Sequence, residues 1–411
     1  MRNRTVKGKR VGIAILAIAL AALLLFTACA PGPPAEKEKV VEIGMIAPLT
    51  GGAASSFQVA VKQWDNYLRN FEEKGVPGLS LPPGVTIEPI WLDDAGELAR
   101  GISVYNRLLE RGVPMVVVGW ISTLETLKPR FEKDQVPAIA WGVTDAMMYP
   151  PGWIYGFYPT ESERFAILCD WIMENWRGER PPGSGFIGPD LAWGRACEVT
   201  GAEYARSIGI EMLPMELVPV VSLDSSVQLL RLADGGADFI YITTYWSSAL
   251  PIMRDAERLG LTEKIRFGGY ENSQAIELIE ALGPAGEGYF ATRAYPWYKE
   301  VPALADMLVS RDGRLDAVTA DGALNLLLLP TTIEAIRRAV EEVGYENLDG
   351  RAVKEALDSI KDFDPHGIGK TITYTPEDHR GSATVRIYEV QGGEAVPVTD
   401  WREAPMLVSK E

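Results

Sequence analysis

The residues with the clearest potential for chemistry are hydroxyl side chains placed directly after predicted strands. Ser122 and Thr123 follow a predicted strand at 114–118 and open a helix, and Thr144 follows a predicted strand at 137–140. Hydroxyl groups and free backbone N–H groups at a helix start suit a carboxylate or another anionic oxygen. The alternative is that Ser122 or Thr123 only caps the helix. The pattern therefore indicates either a binding surface for an anionic group or a simple cap.

Aromatic and acidic residues occupy the equivalent places in the second half of the chain. Four side chains there follow predicted strands: Trp193, Tyr245, Trp246 and Glu271. Each could instead be an ordinary packing residue. Because the carboxyl ends of parallel strands meet at one edge of a sheet, their common position favours a ligand pocket.

Two glycine-rich segments match nucleotide-binding loops only in part. Residues 183–188 fit G-x-G-x-x-G, but these glycines lie at and within a predicted strand instead of between a strand and a helix. In the segment 364–371, Asp364 stands where a phosphate-binding loop requires its first glycine, and a strand-like segment follows. We therefore predict no nucleotide site and no other cofactor.

The usual signatures of an enzyme are missing from the sequence. There is no G-x-S-x-G, H-E-x-x-H or C-x-x-C pattern, and these are common signatures of hydrolases, metalloproteases and redox enzymes. The acidic pair Asp93-Asp94 ends a predicted strand and is expected to be solvated. His366 and His379 are the only histidines, which excludes a three-histidine zinc site within the chain. We predict no catalytic residue, no metal site and no enzymatic activity.

The overall charge is acidic, with 56 Asp and Glu against 40 Lys and Arg and a formal net charge of −16. The basic residues at positions 2, 4, 7, 9 and 10 lie in a segment that we expect to be removed, which would leave the mature chain more acidic. Such a surface repels phosphate backbones, so a nucleic-acid partner is not expected. With 47% apolar residues in 411, the chain can build two or three domains.

The N-terminus has the order of a secretory signal peptide. Basic residues at 2–10 precede an apolar stretch at 11–28, which ends at Cys29. The ending is similar to a lipobox, so we predict a signal peptide at 1–28, lipidation of Cys29 and a flexible tether at 29–39. The alternative is an uncleaved transmembrane anchor. Either way, the remainder is expected to lie outside the cytoplasm, attached to the membrane only through this end.

Apolar strands alternate with amphipathic helices from residue 40 onward, which is typical of parallel sheets covered on both faces. The fold class predicted is α/β, with two doubly wound parallel-sheet lobes. The proposed first lobe spans 40–158 and 293–374. The second spans 159–292, with a return and tail at 375–411.

Four local expectations concern segments with less regular patterns. A helix is expected at 193–207 and a strand at 211–218. A helical run at 317–343 is expected to bend or break at Pro330. The tail alternates like antiparallel strands at 371–374 and 383–390.

The order and spacing of several segments resemble the binding proteins for branched-chain amino acids and related amides, the leucine-binding family of type I periplasmic proteins. The resemblance covers roughly residues 40 to 390. It is carried by eight segments: Ala47–Gly51, Gly119–Thr123, Trp141–Thr144, Gly156–Thr160, Asp190–Gly194, Gly235–Asp238, Arg258–Leu261 and Gly286–Tyr289. The family implies three crossovers between the lobes, near Tyr158, Thr292 and Tyr374.

The resemblance also implies roles for individual residues. Four of them would hold the carboxylate of a ligand: Ser122, Thr123, Val143 and Thr144. Glu271 would pair with a ligand ammonium group. Trp193 stands where the family often has a tyrosine, and Tyr245 or Trp246 would close over the ligand. The added bulk of Trp120, Trp141 and Trp246 leaves an amino acid, a small amide or an aromatic acid as open ligand classes.

The function implied is that of a monomeric substrate-binding subunit of an ABC transporter, which closes around a solute and delivers it to a membrane permease. One alternative is an extracytoplasmic ligand sensor, which would usually carry a cytoplasmic output module that we do not expect here. Another is an extracellular hydrolase that uses Asp or Glu. A hydrolase would turn its ligand over, whereas a binding protein returns it unchanged.

Overall fold

The computed structural model describes residues 39–408, with gaps at 52, 298–299, 302–319, 366 and 369. The predicted signal peptide, Cys29, the tether up to residue 38 and His366 therefore lie outside the described residues. Within the described range, no helix combines the length and the apolarity needed to cross a membrane.

The first lobe is built on a five-stranded sheet with the strand order β2-β1-β3-β4-β5. Neighbouring strands from β1 to β5 pair in parallel, with Met45 opposite Val117 and Val117 opposite Ile139. The residues of β3 are all buried valines, as expected for a central strand covered on both faces. The strand bounds are β1 Lys39–Ala47, β2 Val85–Asp93, β3 Val116–Val118, β4 Ala138–Ala140 and β5 Ile154–Tyr155.

The connections of the first sheet are helices whose apolar faces pack on it. Tyr105 and Phe131, from two of these helices, meet edge to face with ring centroids 5.4 Å apart. The helices are α1 Ala54–Lys74, α2 Leu98–Arg111, α3 Ile121–Asp134 and the single turn α4 Asp145–Met148. Because α3 and α4 start directly after β3 and β4, their N-termini lie at the carboxyl edge of the sheet.

The second lobe has a nine-stranded sheet whose main path runs β13-β12-β11-β10-β9-β6-β7, with β14 paired to β12 and β8 paired to β6. Alternate residues of β9 enter opposite cores, since Ile240 and Ile242 face one cluster and Phe239 and Tyr241 the other. Both faces of this sheet are therefore covered. The bounds of the strands before the return are β6 Gly183–Gly188, β7 Glu211–Met212, β8 Glu216–Leu217, β9 Phe239–Ile242, β10 Arg266–Tyr270 and β11 Phe290–Arg293.

Two predicted elements of the second lobe are shorter than expected. The helix predicted at 193–207 begins only at Thr200, because Trp193 and its neighbours form turns. Gly194 allows this path: a Cβ there would lie 2.2 Å from the Pro189 carbonyl oxygen. The strand predicted at 211–218 is divided into β7 and β8 at Pro214, which cannot donate to a ladder. The helices are α5 Glu161–Asn175, α6 Thr200–Ser207, α7 Ser226–Asp234, α8 Trp246–Arg258 and α9 Ile276–Leu282.

The chain then returns to the first lobe through α10 Ala320–Val343 and α11 Gly350–Asp358. Leu328 and Ile336 of α10 join the same core as the first sheet. The helix α10 continues through Pro330, so the break expected there is absent from it.

The predicted strand at 371–374 is reduced to a single bridge between Phe363 and Ile372. The tail joins the second sheet as β12 Thr384–Gln391, β13 Glu394–Pro397 and β14 Arg402–Glu403, all antiparallel to their partners there.

The path of the chain confirms two doubly wound α/β lobes joined by three crossovers. The first crossover lies between β5 and α5 and the third between α11 and β12, and they run side by side. The Gly156 N–H donates to the His379 carbonyl oxygen at 2.8 Å, and the Tyr374 hydroxyl donates to the Gly156 carbonyl oxygen at 2.7 Å. Gly381 has φ +78°, and a Cβ there would lie 2.9 Å from the same Gly156 oxygen. A larger residue at 381 would therefore separate the two crossovers.

Candidate functional site

A narrow cleft lies where the carboxyl ends of the two sheets face each other. Its enclosed volume is about 30 Å³, far below the several hundred Å³ of a typical small-molecule site. Both lobes and the first crossover line it with the following residues: Phe57, Gly119, Ile121, Trp141, Gly142, Tyr158, Glu161, Trp193, Tyr245, Tyr270 and Asn272. An organic solute therefore requires the walls to move apart before it can enter.

Aromatic rings from the two lobes meet across this cleft. Trp193 of the second lobe lies edge-on to Trp120 of the first, with ring centroids 6.5 Å apart, and contacts Tyr245 at 5.0 Å. Phe57 and Trp141 form a similar pair at 5.4 Å on the side of the first lobe. Because Trp193 also packs against the core of the first lobe, it helps to hold the two lobes together.

A buried charge cluster forms the floor of the cleft on the side of the second lobe. The Arg164 guanidinium is fully buried and pairs with the carboxylates of both Glu161 and Glu271. Its charge also lies over the rings of Tyr158 and Tyr270, at 4.7 and 5.7 Å from their centroids. Arg164 and Glu161 belong to the first turn of α5, and Glu271 begins the short 3-10 turn after β10. Two carboxylates therefore share the one guanidinium of Arg164.

The position of Glu161 is fixed by the start of α5. Thr160 and Glu163 form a capping box, in which the Thr160 N–H donates to Glu163 Oε2 at 2.9 Å and the Thr160 hydroxyl accepts from the Glu163 N–H. The Glu161 N–H reaches the Val143 carbonyl oxygen of the first lobe at 3.4 Å. As the first residue of the helix, Glu161 is thus held at the junction of the lobes.

Burial determines the charge state of this cluster. It raises the pKa of Glu161 to about 7, because the loss of hydration outweighs the attraction of Arg164. Burial alone would lower the pKa of Arg164, but Glu161 and Glu271 hold that pKa well above its ordinary value. Arg164 therefore stays charged, whereas Glu161 titrates near neutral pH.

Buried polar atoms without a hydrogen-bond partner in the protein occur in the lining and in the floor of the cleft: Trp193 Nε1 and Asn272 Oδ1 in the lining, and Glu271 Oε2 with the donors Arg164 Nε and Nη2 in the floor. The indole nitrogen is a donor, and the amide and carboxylate oxygens are acceptors. Buried polar groups are nearly always satisfied, by water or a ligand if not by protein. Among the lining residues, Trp193 therefore offers a ligand a donor, and Asn272 and Glu161 offer it acceptors.

The structure brings together some of the residues predicted from sequence. Trp193 and Tyr245 line the cleft, as expected of residues at strand ends. Glu271 lies just behind the lining, with its carboxylate turned to Arg164. Trp246, by contrast, packs against the core of the second lobe. A ligand contact from Glu271 or Trp246 stays a prediction.

The predicted hydroxyl residues Thr123 and Thr144 are buried in the first lobe, are not among the lining residues, and are hydrogen-bonded within that lobe. The Thr123 hydroxyl donates to Asp94 Oδ2 at 3.2 Å, and the Thr144 hydroxyl donates to Glu125 Oε1 at 2.6 Å. Ser122 is half-buried and Val143 fully buried, and neither is among the lining residues. In this closed arrangement the two threonine hydroxyls donate hydrogen bonds to carboxylates of the protein, and their contact with a ligand stays a prediction.

Six lining residues were not predicted as ligand contacts, although the bulk of Trp141 was expected near the ligand: Phe57, Trp141, Tyr158, Glu161, Tyr270 and Asn272. A usable signal existed for Glu161. The pattern Thr160-x-x-Glu163 marks a helix start, and Glu161 is the first residue after the cap. Tyr270 and Asn272 flank the predicted Glu271 at the end of β10 and could have been included on the same grounds.

A bilobed α/β fold with a narrow cleft between facing strand ends is typical of solute-binding proteins that open and close on a hinge. The sequence profile of the periplasmic binding protein family matches residues 40–395, and the chain belongs to that family. The family consists of extracytoplasmic solute-binding proteins and not of enzymes. The predicted location outside the cytoplasm and the predicted lack of enzymatic activity are thereby confirmed.

Individual relatives agree with this assignment. The chain is 22% identical to the Leu/Ile/Val-binding protein homolog 3 of Brucella melitensis, over 87% of this chain and 93% of the relative. It is also 22% identical to a leucine-, isoleucine-, valine-, threonine- and alanine-binding protein of Pseudomonas aeruginosa, over 77% of this chain and 82% of the relative. The prediction of a substrate-binding protein of the kind that ABC transporters use is confirmed at the level of the family.

Solved structures share the fold. The branched-chain amino acid ABC transporter protein of Thermus thermophilus with bound valine superposes with a TM-score of 0.79 at 22% identity, covering 89% of this chain and 97% of that one. A solute-binding protein of Rhodopseudomonas palustris in complex with 3,4-dihydroxybenzoic acid gives 0.73 at 20% identity, covering 90% and 99%. The type I periplasmic binding fold is thereby confirmed.

Proposed function

We propose that this protein is the monomeric substrate-binding subunit of an ABC transporter, and that its ligand is a small amine or amide with a flat or apolar body, such as an amino acid. The observation that carries this proposal is the Glu161 carboxylate, which faces a cleft walled by aromatic rings. The rings suit an apolar or planar body, and the carboxylate suits a nitrogen that donates hydrogen bonds.

The charges of the cleft discriminate between the ligand classes that the sequence left open. None of the described lining residues is Lys, Arg or His. The nearby Arg164 is fully buried and already paired with two carboxylates. An aromatic acid would bring a negative charge to this site without a nitrogen donor for Glu161 and Asn272, whereas an amino acid carries an ammonium group that offsets its own carboxylate. An amine or amide matches the acceptors Glu161 and Asn272 and is the favoured class.

Binding would proceed by hinge closure. The contact of Trp120 with Trp193 closes the cleft, so entry requires rotation about the crossovers. A solute that contacts both lobes shifts the equilibrium toward the closed form. A permease would recognise that form, and lipidation at Cys29 would keep the protein near the membrane.

A thermal-shift screen of the mature protein tests the ligand class. The panel contains apolar and aromatic amino acids, small amides, and 4-hydroxybenzoate as the anionic comparison. A ligand at about 100 times its Kd should stabilise the native state by about 2.7 kcal/mol. We expect an amine or amide to raise the melting temperature in proportion to the logarithm of its concentration. A response to 4-hydroxybenzoate alone would contradict the proposed ligand class.

A further inference from the structure

The cluster at the floor of the cleft contains an unequal number of charges. Glu161, Arg164 and Glu271 are each nearly or fully buried, and their side chains offer two carboxylates for one guanidinium. A buried ion pair is tolerable when each charge has a partner, whereas an extra buried charge is strongly unfavourable. The cluster therefore needs one more positive charge or one proton.

The groups packed around Glu161 do not supply that charge. Arg164 approaches from the same helix, Glu271 from the turn after β10 and Asp145 from α4. The other titratable groups that interact with the cluster are neutral phenols and a neutral thiol, each with a pKa well above its ordinary value because of burial: Tyr158, Tyr241, Tyr270 and Cys197. The Asp145 carboxylate accepts a hydrogen bond from Ser162 at 2.8 Å and only adds negative charge. Among the described residues, Arg164 is thus the one cation of the cluster.

Resting on the proposed function, we propose that Glu161 selects a positively charged amine by exchanging its own proton for the cationic group of the ligand, while Arg164 remains the fixed partner of Glu271. In the ligand-free cleft, the Glu161 carboxyl group holds the proton. When an ammonium group enters, the O–H bond of this carboxyl group breaks, the proton passes to solvent, and a carboxylate–ammonium pair forms.

The geometry gives the two carboxylates these different roles. Glu161 lines the cleft directly, whereas Glu271 lies behind it against Arg164. Arg164 keeps its position whether or not a ligand is bound, because both carboxylates and the rings of Tyr158 and Tyr270 enclose it. The exchange at Glu161 distinguishes ammonium ligands from neutral ones: an amide can bind beside the protonated carboxyl group without release of a proton, whereas an ammonium group replaces that proton.

Calorimetry in buffers of different ionisation enthalpy measures the proton exchange. The probes are L-leucine and L-phenylalanine, titrated into the full-length mature protein in phosphate, HEPES and Tris. Because the pKa of Glu161 is about 7, binding at pH 7 should release about half a proton per ligand, more at pH 6 and almost none at pH 8.5. Below the pKa, the apparent affinity should fall about tenfold per pH unit.

Two variants of α5 distinguish the proton exchange at Glu161 from an effect of removing any carboxylate from this helix. Glu161→Gln should abolish proton release and weaken binding of the amine probe at least about tenfold. Glu174→Gln, at the exposed last turn of α5, should leave both unchanged. Binding of a probe without proton release from pH 6 to 8 would overturn the exchange but leave the proposed function intact. Binding of 4-hydroxybenzoate in place of the amines would overturn both.

A measurement without ligand keeps the inference testable if neither probe binds. Difference infrared spectra of the ligand-free protein between pH 6 and 8.5 should contain the stretching band of a protonated carboxyl group. The part of this band that is lost as the pH rises through about 7 should be absent from Glu161→Gln and present in Glu174→Gln. A wild-type spectrum identical to that of Glu161→Gln would show that Glu161 carries no proton, and the inference would be wrong.

Discussion

The buried ion pair between Arg380 and Glu163 should make a large contribution to stability, because it joins the third crossover to the first turn of α5. Arg380 Nη1 lies 2.9 Å from Glu163 Oε2, and the two side chains are 5% and 0% exposed. Glu163 also accepts from the Tyr149 hydroxyl at 2.5 Å and from the Leu407 N–H at 3.0 Å. This one carboxylate thus connects both lobes, a crossover and the C-terminal tail.

Replacement of Arg380 by Met keeps most of the volume but leaves two carboxylates without their cation, the fully buried Glu163 and the partly exposed Asp378. Breaking a buried pair in this way costs about 3–5 kcal/mol. The remaining hydrogen bonds to Glu163 favour the lower end of that range. With an unfolding entropy of about 2.1 cal/mol/K per residue, 3 kcal/mol corresponds to a fall of about 4 °C in a chain of this size.

Chemical unfolding of wild type and Arg380→Met, with Arg402→Met as the matched control, measures this difference. Arg402 pairs with Glu174 of the same helix at 2.7 Å, but these side chains are 29% and 55% exposed. An exposed pair of this kind contributes about 0–1 kcal/mol. If Arg380→Met costs no more than Arg402→Met, the argument from burial is wrong.

The cost of Arg380→Met should also depend on pH. Burial already raises the pKa of Glu163, and the loss of Arg380 would raise it further. A carboxyl group whose pKa is higher in the folded than in the unfolded state binds more protons when folded, so its contribution to stability falls as pH rises through the folded pKa. The deficit of the variant should therefore shrink between pH 8 and pH 5. A constant deficit would contradict the assignment of the cost to an unpaired carboxylate.

Two further variants concern the cleft itself. Burial raises the pKa of the Glu161 carboxyl group to about 7, so its ionisation above pH 7 destabilises the ligand-free wild-type protein. The free energy of unfolding of Glu161→Gln relative to wild type should therefore increase by up to about 3 kcal/mol between pH 5 and pH 8.5. Parallel stability profiles of the two proteins over this range would refute the argument. Trp193→Ala should weaken ligand binding about thirtyfold, or about 2 kcal/mol, as measured by titration calorimetry, whereas Leu223→Ala, at a side chain that is 93% exposed, should not change it.

Sequence patterns predicted the architecture because its strands are read from local composition. Val116–Val118 is fully buried on both faces and appears in the sequence as a continuous apolar run. The errors occurred where tertiary contacts determine the backbone. The turns at Trp193 depend on the close approach of Gly194 to the Pro189 carbonyl group, which no periodicity indicates.

The sequence predicted where the candidate site lies, but not the hydrogen bonds and ion pairs within it. Strand ends indicated where Trp193 and Tyr245 would meet. The sequence could not indicate that the Thr123 hydroxyl bonds to Asp94, because either a ligand or a neighbouring carboxylate can accept from it. Nor could it indicate that Glu271 shares Arg164 with Glu161, since 107 positions separate Glu271 from Arg164.

The first turn of α5 joins the ligand site to the hinge. Glu161 and Glu163 are two positions apart, so their side chains leave the helix on nearly opposite sides. Glu161 faces the cleft, and Glu163 pairs with Arg380 of the third crossover. Arg164, in the same turn, fixes the helix to Glu271 of the second lobe. The first turn of α5 is therefore held to the third crossover through Glu163 and to the turn after β10 through Arg164. We expect a change of charge at Glu161 to shift the balance between open and closed lobes through these two contacts.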